Sequence, residues 1–299
     1  MEHCHKKQEY KAMKHYYVVT NPEKDRDGKV TERVKSCIAA LGGTCQITES
    51  MPEGSGTWRY TDGTQVDPKV ECVLVIGGDG TLIQAARDLK DLELPIMGIN
   101  RGTLGFLSEV EESEIEETIR CLFEGRFYVE ERMMLQGELY RGEKCLVRDH
   151  ALNDIILSRQ GVIRILRYRI TVNGQLLQEY DADGVLVATP TGSTAYNLSA
   201  GGPIVSPEAS LFVVTPVCAH ALNARSIILP EDSDIWIEAF DVHGAGDGWL
   251  AAFDGVSYKD VCSGDRLHIT RSDRKVRLVK LSRVSFLETL RQKMQEHGK

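Results

Sequence analysis

The sequence predicts an α/β N-terminal domain built on an open, mostly parallel sheet, followed by an all-β domain. Three observations carry that reading. Strand-like and helix-like segments alternate up to about residue 127, which implies parallel strands joined by crossover helices. From Tyr128 the pattern changes to short strands joined by hairpin turns, the signature of an antiparallel domain. The chain then closes on an amphipathic helix, "FLETLRQKMQEH", with Phe286, Leu287, Leu290 and Met294 on one side, which is expected to dock on a neighbouring domain. A chain of 299 residues with 42% hydrophobic content has the material for two cores.

Each element has its own signal. "YYVVTN", Tyr16 to Asn21, is a strand, and the helix after it carries Val30, Val34, Cys37, Ile38 and Leu41 at helical spacing before Gly42 closes it. A short strand around Cys45–Ile47 leads into Glu49–Pro68, rich in Gly, Pro, Ser and Thr, a segment that reads as a lid or as an excursion. "CVLVIGG" is a fully apolar strand of the buried parallel kind. A helix follows from about Thr81, then the strand "LPIMGIN", then a helix expected to begin at Ser113, with Glu116 completing a capping box and Gly125 ending it. Beyond Tyr128, hairpin turns are expected at Arg141-Gly142 and Asn173-Gly174, and strands at Leu186, Phe212, Ile227, Trp236, Leu250 and Leu267.

Composition excludes some partners. A net charge of −8 argues against a nucleic-acid surface or a polybasic membrane anchor, both of which need clustered Lys and Arg. The opening "MEHCHKKQEYKAMKHYY" lacks an apolar signal core, and no apolar run reaches the roughly 18 residues of a membrane span, so a cytoplasmic chain is expected. The eight cysteines form no C-x-x-C pair and are expected to be reduced and mostly buried. His3, Cys4 and His5 are metal-ligand types, but no fourth partner stands within sequence reach.

Three stretches carry chemistry. In "VLVIGGDGTLIQAA", a strand ends in Gly77-Gly78 and runs into a helix, so free amide N–H groups can meet an anion; Gly77, Gly78 and Thr81 are the expected phosphate-binding residues. Asp79 would repel phosphate unless it faces a hydroxyl or a bridging cation. It therefore reads as the group that accepts a proton from an attacking hydroxyl and helps to organise Mg²⁺ at a phosphoryl-transfer centre. Taken alone, the same tetrapeptide reads equally as a tight turn with an Asp cap, and phosphofructokinases and lipid kinases carry similar turns.

The second stretch, "DGVLVATPTGSTAYNLSAGGPIV" from Asp183 to Val205, concentrates hydroxyls and amides able to grip a ribose and a phosphate, with Tyr196 as a flat face for a base. Its bland alternative is a polar loop in which Ser193 and Ser199 satisfy backbone groups. The third, "ALNDIILS", sets Asn153 beside Asp154 at the mouth of a strand, where an amide and a carboxylate can hold adenine and ribose, or simply form a turn. Ser193 is no hydrolase nucleophile by motif, because "GSTA" lacks the second glycine of G-x-S-x-G.

Together with "GINRGTLGFL", Gly98 to Leu107, these stretches closely resemble the NAD kinases over Tyr16 to Phe286. The resemblance implies phosphoryl transfer from ATP, or inorganic polyphosphate, to the 2′-hydroxyl of the adenosine ribose of NAD, giving NADP, with a divalent cation such as Mg²⁺. It implies Asp79 as proton acceptor, Gly80 beside the dinucleotide, Asn153 and Asp154 on the adenosine moiety, Asp183 as the acid ahead of the Thr-rich turn, and Thr194, Ala195, Tyr196 and Ser199 around the dinucleotide. Arg164 falls where the family often has a basic residue. Asp181, at another NAD-binding position, stands where relatives often carry Lys or Arg, and Val256 follows Asp254-Gly255 where many have Gln.

The implied fold is an α/β domain over 1–127 joined by a returning 276–299, and a sandwich-like all-β domain over 128–275. The implied assembly is a homodimer or homotetramer in which a neighbouring subunit completes the NAD site. A lipid or other small-molecule kinase sharing the GGDGT turn, and a non-catalytic dinucleotide sensor, are the competing readings.

Overall fold

The computed structural model describes residues 11–50, 61–100, 105–160, 166–221, 224–240, 249–281 and 285–296. His3, Cys4, His5 and Arg164, as well as 51–60 of the Gly- and Pro-rich segment and 101–104 of "GINRGTLGFL", lie outside them. The chain divides into two compact units, Met1–Glu131 with Val276–Lys299, and Arg132–Lys275.

The first unit begins with β1 (His15–Thr20), α1 (Lys29–Ala40), β2 (Thr44–Glu49), β3 (Cys72–Ile76), α2 (Asp79–Asp88), β4 (Pro95–Asn100), β5 (Val110–Glu111) and α3 (Ile115–Phe123). The strands pair in parallel in the order β2-β1-β3-β4, with β5 parallel to β4. The core is made by Tyr16, Val18, Leu74, Ile76, Met97 and Ile99 from the strands, and by Val34, Ile38, Ile115, Ile119 and Leu122 from the helices. Each such side chain contributes roughly 1.5–3 kcal/mol by leaving water.

The start of α3 differs from the expectation at Ser113 and Glu116. The capping box lies at Glu111 and Glu114, a short 3₁₀ turn covers Glu112–Glu114, and the α-helix begins at Ile115. The reason is that Glu116 is engaged elsewhere: both its oxygens accept from Arg33 of α1 at 2.7 Å.

The chain continues with β6 (Tyr128–Arg141), β7 (Lys144–Ala151), β8 (Asp154–Arg159), β9 (Leu166–Val172), β10 (Gln175–Ala182), β11 (Gly184–Ala188), the short α4 (Tyr196–Ser199), β12 (Leu211–Val217), β13 (Ile227–Pro230), β14 (Ile235–Phe240), β15 (Trp249–Phe253), β16 (Val256–Val261) and β17 (Arg266–Lys280), all in the second unit except the first residues of β6, up to Glu131, and the last of β17, from Val276. One sheet runs β10-β9-β14-β17, with β6 on β17 and β7 on β6; the other runs β13-β12-β11-β8-β15-β16, antiparallel throughout. Between them lies a sandwich core, with Tyr168, Ile170, Ile235, Ile237, Leu267 and Ile269 facing Ile155, Leu157, Val185, Val187, Phe212 and Phe253. The outer face of the second sheet is covered by the segment after β11, where Ala200 and Val205 pack on Ile156, Leu186, Ala188 and Val213.

The Asn173-Gly174 turn is as expected, with φ of 51° and 75°. The first hairpin turns one residue later than expected, at Gly142-Glu143, because Arg141 stays in β6 opposite Lys144 while its guanidinium grips both oxygens of Asp265. The chain ends in α5 (Phe286–Glu296), within the first unit. Phe286 meets Phe106 there at 6.2 Å, whereas Leu287 and Met294 remain 71% and 65% exposed. The expectation of mostly buried cysteines also fails: of the described ones, all free thiols, Cys72 and Cys121 are buried while Cys145 and Cys218 are exposed. Among the described residues, no helix is long and apolar enough to cross a membrane.

Candidate active site

In the first unit the site forms where β3 hands over to α2. Gly77 still belongs to the sheet, since its N–H donates to the Ile99 carbonyl at 3.0 Å. Gly78 is the extended N-cap, and its carbonyl accepts from Thr81 and Leu82 at 3.0 and 3.2 Å. The amides of Gly78, Asp79 and Gly80 are left at the helix start without an acceptor among the described residues, the arrangement that attracts an anion. The Thr81 hydroxyl accepts from Asn21 Nδ2 at 3.0 Å and lies against Gly77, where a Cβ would come within 2.7 Å of it. Of the three residues expected to line a phosphate, Gly78 therefore offers an unspent N–H, whereas Gly77 and Thr81 brace the turn.

Asp79 turns its carboxylate to a different set of amides. Its oxygens accept from the N–H groups of Phe106 at 2.8 Å, Leu107 at 3.3 Å and Ser108 at 3.1 Å. This explains how an acid stands in a turn suited to anions: three successive dipoles from "GFLS" neutralise it locally. The cradle is itself anchored. Lys280 Nζ pairs with Glu109 at 3.2 Å and reaches the Leu107 carbonyl at 3.5 Å, while Glu109 also accepts from the Leu281 N–H at 2.6 Å.

In the second unit a similar device recurs. Asp254, in the β15–β16 turn with φ of 48°, accepts from the N–H groups of Leu152, Asn153 and Asp154 at 2.6, 2.8 and 3.1 Å, and its own N–H donates to the Asp154 carbonyl at 3.0 Å. The Thr-rich segment is laid onto the same turn. Thr189 donates its N–H to the Asn153 carbonyl at 2.8 Å and its hydroxyl to the Leu152 carbonyl at 2.6 Å, and Gly192 approaches so closely that a Cβ would stand 2.1 Å from the Asn153 carbonyl oxygen. The second and third sequence stretches thus form one cluster.

Within that cluster Tyr196 is 45% exposed and Ser199 is exposed, while Thr194 and Ala195 are half-buried. Ser193 is buried, with its hydroxyl donating to the Val205 carbonyl and accepting the Val205 N–H at 3.1 and 3.0 Å, the backbone role anticipated as the bland alternative. Asn197 is fully buried; its amide donates to the carbonyls of Ser193 and Pro203 and accepts from the Thr215 hydroxyl.

Asp183 is paired with Arg159, Nε to Oδ1 at 2.8 Å. Asp181 is paired across the β9–β10 hairpin with Arg167 at 2.8 and 3.0 Å, and that guanidinium holds its carboxyl below the usual range. Val256 is buried at the start of β16. Burial, and after it the charge of Asp254, push the Asp154 carboxyl up to about 7.

Sequence reasoning did not find Asp254, Arg159 or the Gly105–Ser108 cradle as working parts. Asp254 was visible as an Asp-Gly turn, but the amides it meets lie about a hundred positions earlier.

An α/β unit with an acid-bearing glycine turn, joined to a β-sandwich with a hydroxyl-rich loop, defines the class of two-domain small-molecule kinases. Family models for the ATP-NAD kinase N-terminal and C-terminal domains match residues 5–127 and 152–281. The chain belongs to the NAD kinase family, which sets aside the lipid-kinase reading. It is 46% identical over 294 residues to the NAD kinase of Lachnospira eligens, covering 94% of this chain and 100% of that relative. It is 39% identical over 285 residues to that of Lachnoclostridium phytofermentans, covering 94% and 99%. Among solved structures, yeast NADH kinase complexed with NADH superimposes with a TM-score of 0.77 at 24% identity, covering 91% of this chain and 84% of that one. An NAD kinase from Archaeoglobus fulgidus in complex with ATP gives 0.69 at 22%, covering 90% and 94%. At those identities the two structures bear on the fold alone.

Proposed function

We propose that this enzyme transfers the γ-phosphoryl group of ATP to the 2′-hydroxyl of the adenosine ribose of NAD, giving NADP, with Asp79 as proton acceptor. The observation that carries the proposal is the Asp79 carboxylate held by three amides at the first residue of α2, in a chain matched by both NAD kinase domains.

A ribose hydroxyl is a very weak acid, so Asp79 works as the O–P bond forms and not before it. A positioned base contributes about 10²–10⁴ in rate, or roughly 3–5 kcal/mol. A carboxylate has about four acceptor positions; three amides fix its orientation, with the Leu107 N–H shared between the two oxygens at 3.3 Å, and the hydroxyl takes the place of one of those long shared contacts. The unspent amides of Gly78, Asp79 and Gly80 are suited to the oxygens of the phosphoryl donor.

In the second unit, Asn153 and Asp154 hold the adenosine moiety, and Thr194, Ala195, Tyr196 and Ser199 line the dinucleotide, with Asp183 kept in place by Arg159. Asp181 and Arg164 complete the assigned set, Asp181 acting through its pair with Arg167. Residues 1–127 with 276–299 carry the catalytic turn, and 128–275 most of the dinucleotide-binding segment.

No group of three His, Cys, Asp or Glu side chains comes together among the described residues, and the Asp79 oxygens are already engaged by amides. These residues do not fit a dedicated cation cage, so Mg²⁺ enters with the triphosphate as part of the substrate. Polyphosphate is the alternative donor, and a cytoplasmic homodimer or homotetramer is the assembly proposed.

The test is direct. Pure protein incubated with ATP, Mg²⁺ and NAD forms NADP, read by an NADP-specific dehydrogenase; a protein that binds NAD and forms no NADP is the sensor instead.

A further inference from the structure

We infer that Asp154 meets the nucleotide as a neutral carboxylic acid and donates its proton in a hydrogen bond to an acceptor atom of the adenosine moiety, while Asp254 stays ionised beside it. The inference deepens the proposed function and rests on NAD being the ligand of this turn.

The asymmetry between the two acids is geometric. Three consecutive amides, those of Leu152, Asn153 and Asp154, all converge on Asp254. Asp154 contributes its own N–H to that set, yet its carboxyl receives no hydrogen bond among the described residues although the residue is only 7% exposed. A pair of neighbouring carboxylates given unequal donors cannot share charge equally: the one holding the amides ionises, and the largely buried one without them keeps the proton.

Among the described residues, none of the other groups near Asp154 supplies a charge that offsets this asymmetry. Tyr196 on α4 has its phenol pushed up by burial and then by Cys218, Asp154 and Asp183, which places these groups within electrostatic reach of one another. Arg159, the cation on the same strand as Asp154, is engaged by Asp183. Burial and Asp254 together set the Asp154 midpoint near 7, so the donor form predominates in mildly acidic solution and is lost in mildly alkaline solution.

If binding needs the protonated form, the apparent Kd scales inversely with its population. For a midpoint near 7, that population falls from about nine-tenths at about pH 6 to about one-thirtieth at about pH 8.5, so the Kd for NAD rises about 30-fold. Asp154→Asn carries an N–H donor at every pH, whereas Asp154→Leu carries none.

The experiment has two arms on the full-length protein. Infrared difference spectra of the ligand-free enzyme across that pH range are expected to show a carboxylic-acid carbonyl band that titrates near neutrality and is missing from Asp154→Asn. Calorimetry with NAD is expected to show the 30-fold weakening in the wild type, a Kd flat within about threefold for Asp154→Asn, and weak binding at both pH values for Asp154→Leu. Absence of that band, a pH-independent wild-type Kd, or Asp154→Asn binding as poorly as Asp154→Leu at about pH 6 overturns the inference. Failure to make NADP at any pH sinks the substrate assignment instead, and the infrared arm separates the two failures.

Discussion

A β-carbon placed on Gly105 would stand 2.0 Å from Oδ1 of Asp79. No side chain fits in that gap, so the glycine is what allows the amides of Phe106, Leu107 and Ser108 to close on the carboxylate. Gly105→Ala is expected to displace Asp79 and lower kcat by about 10²–10⁴, the contribution of a positioned base, while the Kd for NAD changes less than about threefold. Steady-state kinetics beside calorimetry checks this; an unchanged kcat removes the cradle from the mechanism.

Asp79→Asn keeps a hydrogen-bonding group of the same shape but cannot take up the ribose proton. It is expected to bind NAD within about tenfold of wild type and to lose most of kcat. Turnover near the wild-type value would mean that the base lies elsewhere.

Asp154 makes stability depend on pH with a definite sign. Its folded midpoint, about 7, lies above the ordinary 3.8, so the folded state holds the extra proton between those values. The contribution is fully present below about pH 4 and is lost as the pH rises through 7. A shift of that size corresponds to about 4 kcal/mol at most. Asp154→Asn, which cannot ionise, is expected to be more stable than wild type by about 2–4 kcal/mol near pH 8.5 and to match it near pH 4. Urea unfolding at the two pH values checks this, and the opposite ordering would exclude a buried acid at this position.

Adjacent residues of the Thr-rich segment are expected to behave differently. Tyr196 stands 45% exposed, so Tyr196→Ala is expected to leave stability within about 1 kcal/mol and to raise KM for NAD more than it lowers kcat. Asn197 is buried on three hydrogen bonds, so Asn197→Ala is expected to destabilise by about 2–4 kcal/mol, leaving the Ser193 and Pro203 carbonyls without this donor, while the Thr215 hydroxyl keeps Ser226 at 2.8 Å. Melting curves and NAD saturation curves on both variants distinguish a ligand contact from a brace; equal effects on both measures would contradict it.

Much of this arrangement was legible along the chain. The apolar run of β3, the Gly77-Gly78 turn, the helix after it and the Asn173-Gly174 hairpin follow from local rules, because apolar periodicity and turn chemistry act over a few residues. Reading the α3 cap at Ser113 and Glu116 failed for an equally physical reason. Ser-x-x-Glu is a good local box, but Arg33 on a neighbouring helix competes for Glu116, and Glu111 with Glu114 takes the cap.

By itself, the amino-acid sequence determined the secondary structure on which the proposed site residues sit: an acid at a helix start, an Asn-Asp pair at a strand mouth, hydroxyls crowded after β11. Only the tertiary structure decided how the two key acids are treated. Asp79 finds its partners 27 to 29 positions away and Asp254 finds its own about 100 positions away. Those partners are backbone amides, present at every residue except proline, so no side-chain pattern marks them. Chain folding alone selects which amides converge, and in doing so it leaves Asp254 solvated by dipoles and the largely buried Asp154 carboxyl without them.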